Sequence, residues 1–260
     1  MRTGIRFTRR RFLAAALLSA LPAAVADAKW IEPTWVKTRR VRLSHGKPQH
    51  RLVHFTDLHH KGDRAYLASV VKRINSLTPD TICLTGDLIE EGKYLPEALE
   101  VLAGVKAPMY GVPGNHDYWC KAPFESIARC FAATGGGWLL DRQVTTRDGK
   151  LTIIGATCRS FRQLPIHPSP GTRNVLLMHY PAWVAKLGPE KFDLILAGHS
   201  HGGQVRLPFY GAVYVPYGVE QYEIGMFRTA AGPLYVNPGI GWYPWPIRFN
   251  CRPEITVFEL

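Results

Sequence analysis

The stretch that decides the fold of this chain is "GVPGNHDYW", Gly111–Trp119. An amide, an imidazole and a carboxylate stand side by side in it, at Asn115, His116 and Asp117, directly after a Pro-Gly turn. The apolar run Met109–Val112, which leads into that turn, predicts a short buried strand. Polar side chains at the end of such a strand require partners elsewhere in the chain, and the rest of the sequence supplies them.

Four more predicted strands end in the same kind of residue. Each strand is a short apolar run, and Asp or His follows it at once. In open α/β sheets, sites form in the crevice beyond the carboxyl ends of the strands, so we expect these side chains to meet. The residues are Asp57 and His59 after Arg51–Thr56, Asp87 after Thr81–Thr85, His179 after Asn174–Met178, and His199 and His201 after Leu194–Ala197.

The segments between these strands indicate an α/β fold. Apolar residues at helical spacing predict helices between the early strands, so the first half of the chain alternates strand and helix. The turn Asp148-Gly149 predicts a hairpin, after which strands dominate, and we predict one domain of two packed sheets. The predicted helices are Ala65–Leu77, Leu95–Leu102, Pro123–Ala133 and Ala182–Leu187, and the other strands are Val36–Leu43, Gln143–Arg147, Leu151–Ala156 and Glu254–Leu260.

The residue types at the strand ends favour a pair of divalent metal ions. Asp and Asn offer oxygen, His offers nitrogen, and no Cys occurs among them, which suits manganese, iron or zinc. Two such ions about 4 Å apart can activate a bridging hydroxide and hold both oxygens of an in-line phosphoryl displacement. Taken singly, each aspartate is typical of a turn and each histidine of a hydrogen-bonded core position. The complete ordered set is hard to explain by structural roles and predicts a hydrolytic metal centre.

This ordered set resembles the signature of the calcineurin-like metallophosphoesterases, and the resemblance covers nearly the whole chain from Arg51 onward. It implies a metallophosphoesterase-type four-layer αββα sandwich of two mixed sheets with flanking helices. It also implies two metal sites that share one bridging aspartate. The implied ligands are Asp57, His59, Asp87 and His201 for one ion, and Asp87, Asn115, His179 and His199 for the other.

The resemblance also implies roles for the residues beside the metals. His116 would lie near the leaving-group oxygen, as a general acid or a transition-state stabiliser. Asp117 would support the ligands from behind or cap the following helix. Many members of the family carry Asp three positions after the bridging aspartate, where it orients the catalytic histidine. In this chain Glu90 occupies that position, and we assign it the same role.

The N-terminal segment is interpreted as a targeting signal. "TRRRFL", Thr8–Leu13, resembles the twin-arginine export signal, and an apolar run with small residues follows it. We therefore divide the chain into a twin-arginine-type signal sequence or anchor (1–28), a basic connector (29–50) and the phosphoesterase domain (51–260). With "GHSHGGQVRLP" and "PIRFNCRPEITVFEL", the leader resembles the YaeI/YkuE-type exported phosphoesterases. The resemblance implies passage through the twin-arginine machinery to the periplasm or cell envelope, with membrane anchoring as an alternative to cleavage.

Charge and cysteine content restrict the partners. The net charge of +12 suits anionic partners such as phosphate esters, anionic lipids or envelope polymers. No basic helix or aromatic-interleaved basic run supports nucleic-acid binding, so we expect no nucleic-acid partner. The five cysteines form no C-x-x-C pair, which argues against a zinc ribbon. A bridge between Cys120 and Cys130 is one alternative, and Cys83 and Cys158 are expected in the core.

Metal chemistry selects the bond type but not the molecule, so three hypotheses remain. The first is an exported phosphodiesterase or phosphomonoesterase that acts on a cell-envelope substrate, with a lipid-linked phosphate ester as one alternative. The second is a UDP-2,3-diacylglucosamine hydrolase of lipid A synthesis, and the third is a non-catalytic metal-binding module. The aromatic segment near the C-terminus bears on this choice: we interpret it as a packed corner, with an apolar rim for a lipid or membrane as the alternative. Its residues are Trp242, Tyr243, Trp245 and Phe249.

Overall fold

The computed structural model describes residues 8–44, 46–159 and 167–260. Residues 1–7 of the interpreted leader lie outside this part. The described α-helices are α1 (Arg9–Ala26), α2 (Arg64–Ser76), α3 (Leu95–Leu102), α4 (Asn115–Trp119) and α5 (Phe124–Ala133). The described strands are β1 (Lys37–Arg42), β2 (Arg51–Phe55), β3 (Thr81–Leu84), β4 (Met109–Gly111), β5 (Gly137–Trp138), β6 (Arg142–Thr145), β7 (Leu151–Gly155), β8 (Arg173–Leu177), β9 (Leu194–Ala197), β10 (Arg206–Leu207), β11 (Gly211–Ala212), β12 (Gly225–Thr229), β13 (Gly232–Val236) and β14 (Glu254–Glu259).

Two mixed sheets of six strands form the centre of the fold, as predicted. The first has the order β1-β14-β2-β3-β4-β5, and the second the order β12-β13-β9-β8-β7-β6. Strands β2 to β5 run parallel to one another, and so do β7, β8, β9 and β13. The carboxyl ends of the parallel strands therefore gather at one edge of each sheet.

Alternate residues of one strand face two different cores. In β3, Cys83 packs between the sheets with Leu177 and Leu196 of the second sheet. Its neighbours Ile82 and Leu84 point the other way, into a cluster with residues of α2, α3 and α5. This two-residue period follows from strand geometry and produces an apolar layer on each side of the first sheet.

The far face of the second sheet is covered by shorter structure. Ile154, Leu176 and Ile195 pack there against Val184 and Phe192. The helix predicted over Ala182–Leu187 is a 3₁₀ helix, Pro181–Lys186. Its proline start and its length of six residues explain the difference, because short helical segments often adopt the tighter 3₁₀ form.

The basic segment 29–50, interpreted as a connector, contributes a strand to the first sheet. Within it, β1 pairs in parallel with β14, with Lys37 opposite Glu254 and Arg42 opposite Glu259. Among the residues that the structure describes, we find no helix with both the length and the apolarity to cross a membrane.

Cys120 and Cys130 are free thiols, so the bridge considered between them is wrong.

Candidate metal centre

The predicted site residues converge at the carboxyl ends of the strands. Asp57 and His59 follow β2, and Asp87 follows β3. Asn115 and His116 open α4, the short helix that follows β4. His179 follows β8, and His199 and His201 follow β9. All eight side chains are buried, so the sheets bring together every residue that the sequence placed at a strand end.

One cluster consists of Asp57, His59 and His201, whose nearest ligand atoms all lie within 4.8 Å of one another. The Nε2 atoms of His59 and His201 are 3.1 Å apart. Asp57 Oδ1 lies 3.5 Å from His201 Nε2 and 3.9 Å from His59 Nε2. One carboxylate oxygen and two imidazole nitrogens therefore face a common point.

A second cluster consists of Asp87, His179 and His199, again with ligand atoms within 4.8 Å. His179 Nε2 lies 3.2 Å from His199 Nδ1 and 3.3 Å from Asp87 Oδ2. The amide oxygen of Asn115 lies 2.9 Å from the same Nε2 atom. This second point is thus surrounded by two imidazoles, one carboxylate and one amide oxygen.

Asp87 lies between the two clusters. Its Oδ2 atom is 3.4 Å from His59 Nε2 of the first cluster and 3.3 Å from His179 Nε2 of the second. Its other oxygen, Oδ1, accepts a hydrogen bond of 2.8 Å from the backbone N–H of His116. A carboxylate held in this way can contact two ions at once.

The outward nitrogens of three imidazoles are engaged, so that their inward nitrogens point at the two clusters. His179 donates from Nδ1 to the carbonyl of Thr85 at 2.7 Å, and His199 donates from Nε2 to the carbonyl of Tyr217 at 2.8 Å. His59 Nδ1 lies 2.8 Å from Glu90 Oε2. Such outer partners fix the tautomer of metal-binding histidines. Converging nitrogen lone pairs and carboxylate oxygens fit two divalent cations.

Glu90 links His59 to His116. Its Oε2 atom lies 2.8 Å from Nδ1 of His59 and 3.2 Å from Nδ1 of His116. Burial alone would raise the pKa of Glu90, but hydrogen bonds from the two imidazoles outweigh it and hold the pKa well below its ordinary value. Burial would likewise lower the pKa of His116, but Glu90 and Asp87 raise it. The longer glutamate arm thus reaches the histidine that it was predicted to orient.

Two aspartates and one histidine of the centre have pKa values that are shifted in different directions. Burial would raise the pKa of Asp87, yet the neighbouring imidazoles, His179 foremost, hold it well below its ordinary value. Burial raises the pKa of Asp57. For His179, burial is outweighed by Asp87, which brings its pKa to about 9. A proton on His179 therefore balances Asp87 in the metal-free protein, and a metal ion must displace that proton.

Asp117 supports the centre from behind without facing either cluster. Its Oδ2 atom accepts from the backbone N–H groups of Gly114 and Asp87, and its Oδ1 atom accepts from Leu88, all at 2.9 Å. Burial and the neighbouring Asp87 raise the pKa of Asp117 to about 7. The side chain caps α4 and ties the loop after β3 to the loop after β4.

Backbone strain is concentrated at the predicted ligands. Five of them adopt left-handed backbone conformations. Non-glycine residues rarely occupy this region, and each such residue costs about 1–3 kcal/mol. Two glycines allow the backbone to pack closely against the aspartate ligands. A Cβ on Gly114 would lie 2.1 Å from Asp87 Oδ1, and one on Gly198 would lie 2.3 Å from Asp57 Oδ2. The left-handed residues are Asp57 (φ 50°), His59 (φ 40°), Asp87 (φ 55°), His199 (φ 67°) and His201 (φ 50°).

Sequence reasoning missed Arg248, which is fully buried. Its guanidinium donates to the carbonyls of Pro238, Gly241 and Cys251. Gly241 in turn donates its N–H to the carbonyl of Asp57 at 2.7 Å. Arg248 therefore holds the loop that positions the first carboxylate. An arginine inside the aromatic run "WYPWPIRF" is the signal that could have identified it.

The aromatic segment is not the packed corner that we favoured from the sequence. Tyr243 and Trp245 are exposed by 41% and 69%, whereas Trp242 and Phe249 are half-buried. The ring of Tyr243 stacks on His59, with centroids 5.6 Å apart, and meets His116 edge-on at 4.5 Å. The ring of Tyr243 therefore forms one wall of the metal centre, whereas the Trp245 side chain lies in solvent.

A cavity of about 550 Å³ opens beside Asn115. Trp119 and Tyr180 contribute aromatic walls, and Lys121 and Arg159 line it with positive charge. In the described part of the chain, neither cation forms an ion pair with a carboxylate; Arg159 lies over the ring of Tyr118 instead. The cavity can accept an anionic or aromatic portion of a molecule whose phosphate lies at the metal centre.

Comparisons with known proteins agree with this geometry. The family model described as calcineurin-like phosphoesterase matches residues 50–203. The metallophosphoesterase YkuE of Bacillus subtilis is 30% identical, with 98% of each chain covered. The phosphodiesterase YaeI of Escherichia coli is 27% identical, over 97% of this chain and 99% of its own. The UDP-2,3-diacylglucosamine pyrophosphatase LpxG of Chlamydia trachomatis is 26% identical, over 95% of this chain and 97% of its own.

Proposed function

We propose, from the premise that the chain belongs to the calcineurin-like phosphoesterase family of metal-dependent hydrolases, that it hydrolyses phosphodiesters with two divalent metal ions. The observation that carries this proposal is the position of Asp87, whose Oδ2 atom lies 3.4 Å from one histidine cluster and 3.3 Å from the other. A single structural metal would not require a carboxylate shared between two sets of ligands.

The ligands proposed for one ion are Asp57, His59, Asp87 and His201, and those for the other are Asp87, Asn115, His179 and His199. Oxygen and imidazole ligands without thiolate suit manganese, iron or zinc. When bound, such a pair supplies Lewis acidity toward the phosphoryl oxygens and lowers the pKa of water. The surrounding fold maintains left-handed backbone at five of these ligands, so it positions them before any ion binds.

His116 is the residue proposed to transfer a proton. Glu90 and Asp87 raise the pKa of His116 against the effect of burial, so its imidazole stays protonated to higher pH than an ordinary histidine. A protonated imidazole beside the two clusters can donate to the leaving oxygen of the ester as its bond to phosphorus breaks. Glu90 orients the ring, and Tyr243 packs against its edge.

The test is hydrolysis of bis-p-nitrophenyl phosphate by the full chain with manganese, with p-nitrophenyl phosphate as the monoester. We expect metal-dependent turnover of the diester, and a loss of about 10²–10⁴-fold in His116→Ala, the usual contribution of general acid–base catalysis. His167→Ala is the matched control, because His167 is exposed and pairs with Glu190 on the surface. A folded, metal-loaded protein without any turnover would support the non-catalytic module instead.

A second candidate is hydrolysis of the pyrophosphate bond in UDP-2,3-diacylglucosamine. The cavity beside Asn115 favours it, because two cations and aromatic walls suit a nucleotide with a second phosphate. The name of the Chlamydia trachomatis relative points the same way. Selective cleavage of this nucleotide lipid over bis-p-nitrophenyl phosphate, weakened in Arg159→Gln, would favour the second candidate over the first.

We further propose that the chain is exported through the twin-arginine machinery and acts in the periplasm or cell envelope. The leader motif "TRRRFL", Thr8–Leu13, supports this proposal. Replacing Arg9 and Arg10 with lysine should retain the protein inside the cell, as cell fractionation would show. Export that persists in this variant, or that uses another route, would contradict the proposal.

A further inference from the structure

Large apolar side chains are exposed on three segments of the structure, which together we call the aromatic face. Phe209 is fully exposed, and Tyr210 and Trp245 are exposed by 74% and 69%. Monomeric proteins rarely leave contiguous apolar surface of this kind in water unless it binds something. The members are Trp30, Ile31 and Trp35; Leu207, Phe209, Tyr210, Val213, Tyr214 and Tyr217; and Tyr243, Trp245 and Ile247.

Backbone hydrogen bonds place the three segments next to one another. Arg206, at the start of the hairpin β10–β11, donates its N–H to the carbonyl of Phe249 at 2.9 Å. Arg248 donates its N–H to the carbonyl of Ala28, also at 2.9 Å. The segment that carries Trp245 and Ile247 is thus flanked by the hairpin on one side and by the N-terminal segment on the other.

The aromatic face reaches the metal centre at two points. The Tyr243 ring contacts both His59 and His116. On the hairpin side, the carbonyl of Tyr217 accepts the hydrogen bond that orients His199. Whatever covers this face therefore lies at the rim of the proposed active site.

Composition and charge identify a lipid bilayer as the occupant. Trp and Tyr predominate, the residues that accumulate where a membrane meets water because one end of each ring system is apolar and the other polar. Cations lie among them: Arg252 stands 3.7 Å from the Trp35 ring centre, and Lys29 stands 5.2 Å from that of Trp30. These cations, in a chain of net charge +12, suit anionic headgroups.

The course of the chain supports the same occupant. The apolar run Phe12–Ala26 leads directly into this face, because Ala28 is buried against the segment that carries Arg248. If a soluble protein covered the aromatic face, there would be no reason for the apolar run Phe12–Ala26 to lead into that face.

We propose that the aromatic face lies on an anionic bilayer and that the protein hydrolyses phosphoesters carried at the membrane surface. The statement about substrate rests on the proposed phosphodiester hydrolysis, whereas the statement about docking does not. With the face against the headgroups, the metal centre opens toward lipid-borne phosphates. The hairpin and Trp245 provide apolar contact, and Lys29 and Arg252 provide attraction to the lipid charge.

The test uses the full chain with vesicles of phosphatidylcholine, with and without phosphatidylglycerol. Phe209→Ser combined with Trp245→Ser removes two exposed anchors that lie outside the proposed catalytic machinery. Leu140→Ser is the matched control, because Leu140 is exposed by 38% and is not part of the face. Sedimentation should show that the double variant needs at least about 10-fold more anionic lipid for half-maximal binding, because two large apolar anchors no longer become buried in the bilayer.

Three results would overturn the docking proposal. They are unchanged binding of the double variant, equal weakening in Leu140→Ser, and conversion of a dimer into a monomer by the double variant without any change in lipid binding. Hydrolysis of bis-p-nitrophenyl phosphate is measured in the same samples and should be equal in all three proteins. If even the unaltered protein fails to hydrolyse it, the proposed function fails while the docking result stands.

Discussion

Replacing Gly198 with alanine should disable the metal centre through a single methyl group. Gly198 precedes His199, and a Cβ at this position would lie 2.3 Å from Asp57 Oδ2 and 2.2 Å from Thr56 Oγ1. An ordinary van der Waals contact of a Cβ begins at about 3.4 Å, so the carboxylate or the backbone must move by about 1 Å. A displacement of about 1 Å in a catalytic group can cost about 100-fold in rate. Overpacking of a filled interior adds a loss of about 1–3 kcal/mol in stability.

The assay compares Gly198→Ala with Gly46→Ala, whose new Cβ would meet no described atom within 4 Å. We expect kcat/KM for bis-p-nitrophenyl phosphate to fall about 100-fold in Gly198→Ala, with weaker manganese binding in a calorimetric titration. The Gly46→Ala control should keep the activity and metal affinity of the unaltered protein. A Gly198→Ala protein with kcat/KM and metal affinity within twofold of normal would refute the argument that Asp57 holds a metal in this geometry.

Three further perturbations follow from the same contacts. Glu90→Gln should lower kcat about 100-fold with little change in KM, and Glu90→Asp should retain more activity, because only the carboxylates keep a charge beside His116. In metal-free protein, the pKa of His179 is raised from 6.5 to about 9. The stability that this protonation contributes is complete below pH 6.5 and is lost as the pH rises toward about 9. The thermal midpoint measured by calorimetry should therefore fall over this pH range in the unaltered protein but not in His179→Gln. Arg248→Met should lower the free energy of unfolding by about 3 kcal/mol or more in urea, because buried carbonyls lose their donors, whereas exposed Arg228→Met should change it by less than about 0.5 kcal/mol.

The sequence predicted the strands that carry the site because their signals are local. Short apolar runs such as Thr81–Thr85 and Leu194–Ala197 are bounded by polar residues and glycines, and the structure has strands at Thr81–Leu84 and Leu194–Ala197. Since parallel strands gather their carboxyl ends at one edge of a sheet, His179 and His199 were expected to lie together, as were Asp57 and Asp87. That the two edges adjoin depends on how the two sheets pack, which no local pattern shows. The role of Glu90 depended on the family resemblance, and the structure shows the reach that this role needs.

Contacts between distant segments could not be read from local pattern. Arg248 lies in an aromatic run, and only the fold shows that its donors face the carbonyls of the loop beside Asp57. The exposure of Trp245 was misjudged because an aromatic cluster has the same pattern in a core as on a surface. The strand predicted over Val36–Leu43 is present as β1, Lys37–Arg42, but the local pattern gave no sign that this edge strand of the basic connector pairs with β14.

The proposal that one chain binds two metal ions sharing Asp87 can be tested by a crystal structure of the manganese-loaded protein with anomalous scattering. We expect two anomalous peaks about 4 Å apart. One should lie among Asp57, His59, Asp87 and His201, and the other among Asp87, Asn115, His179 and His199. A single peak, or two peaks with Asp87 in contact with only one of them, would contradict it.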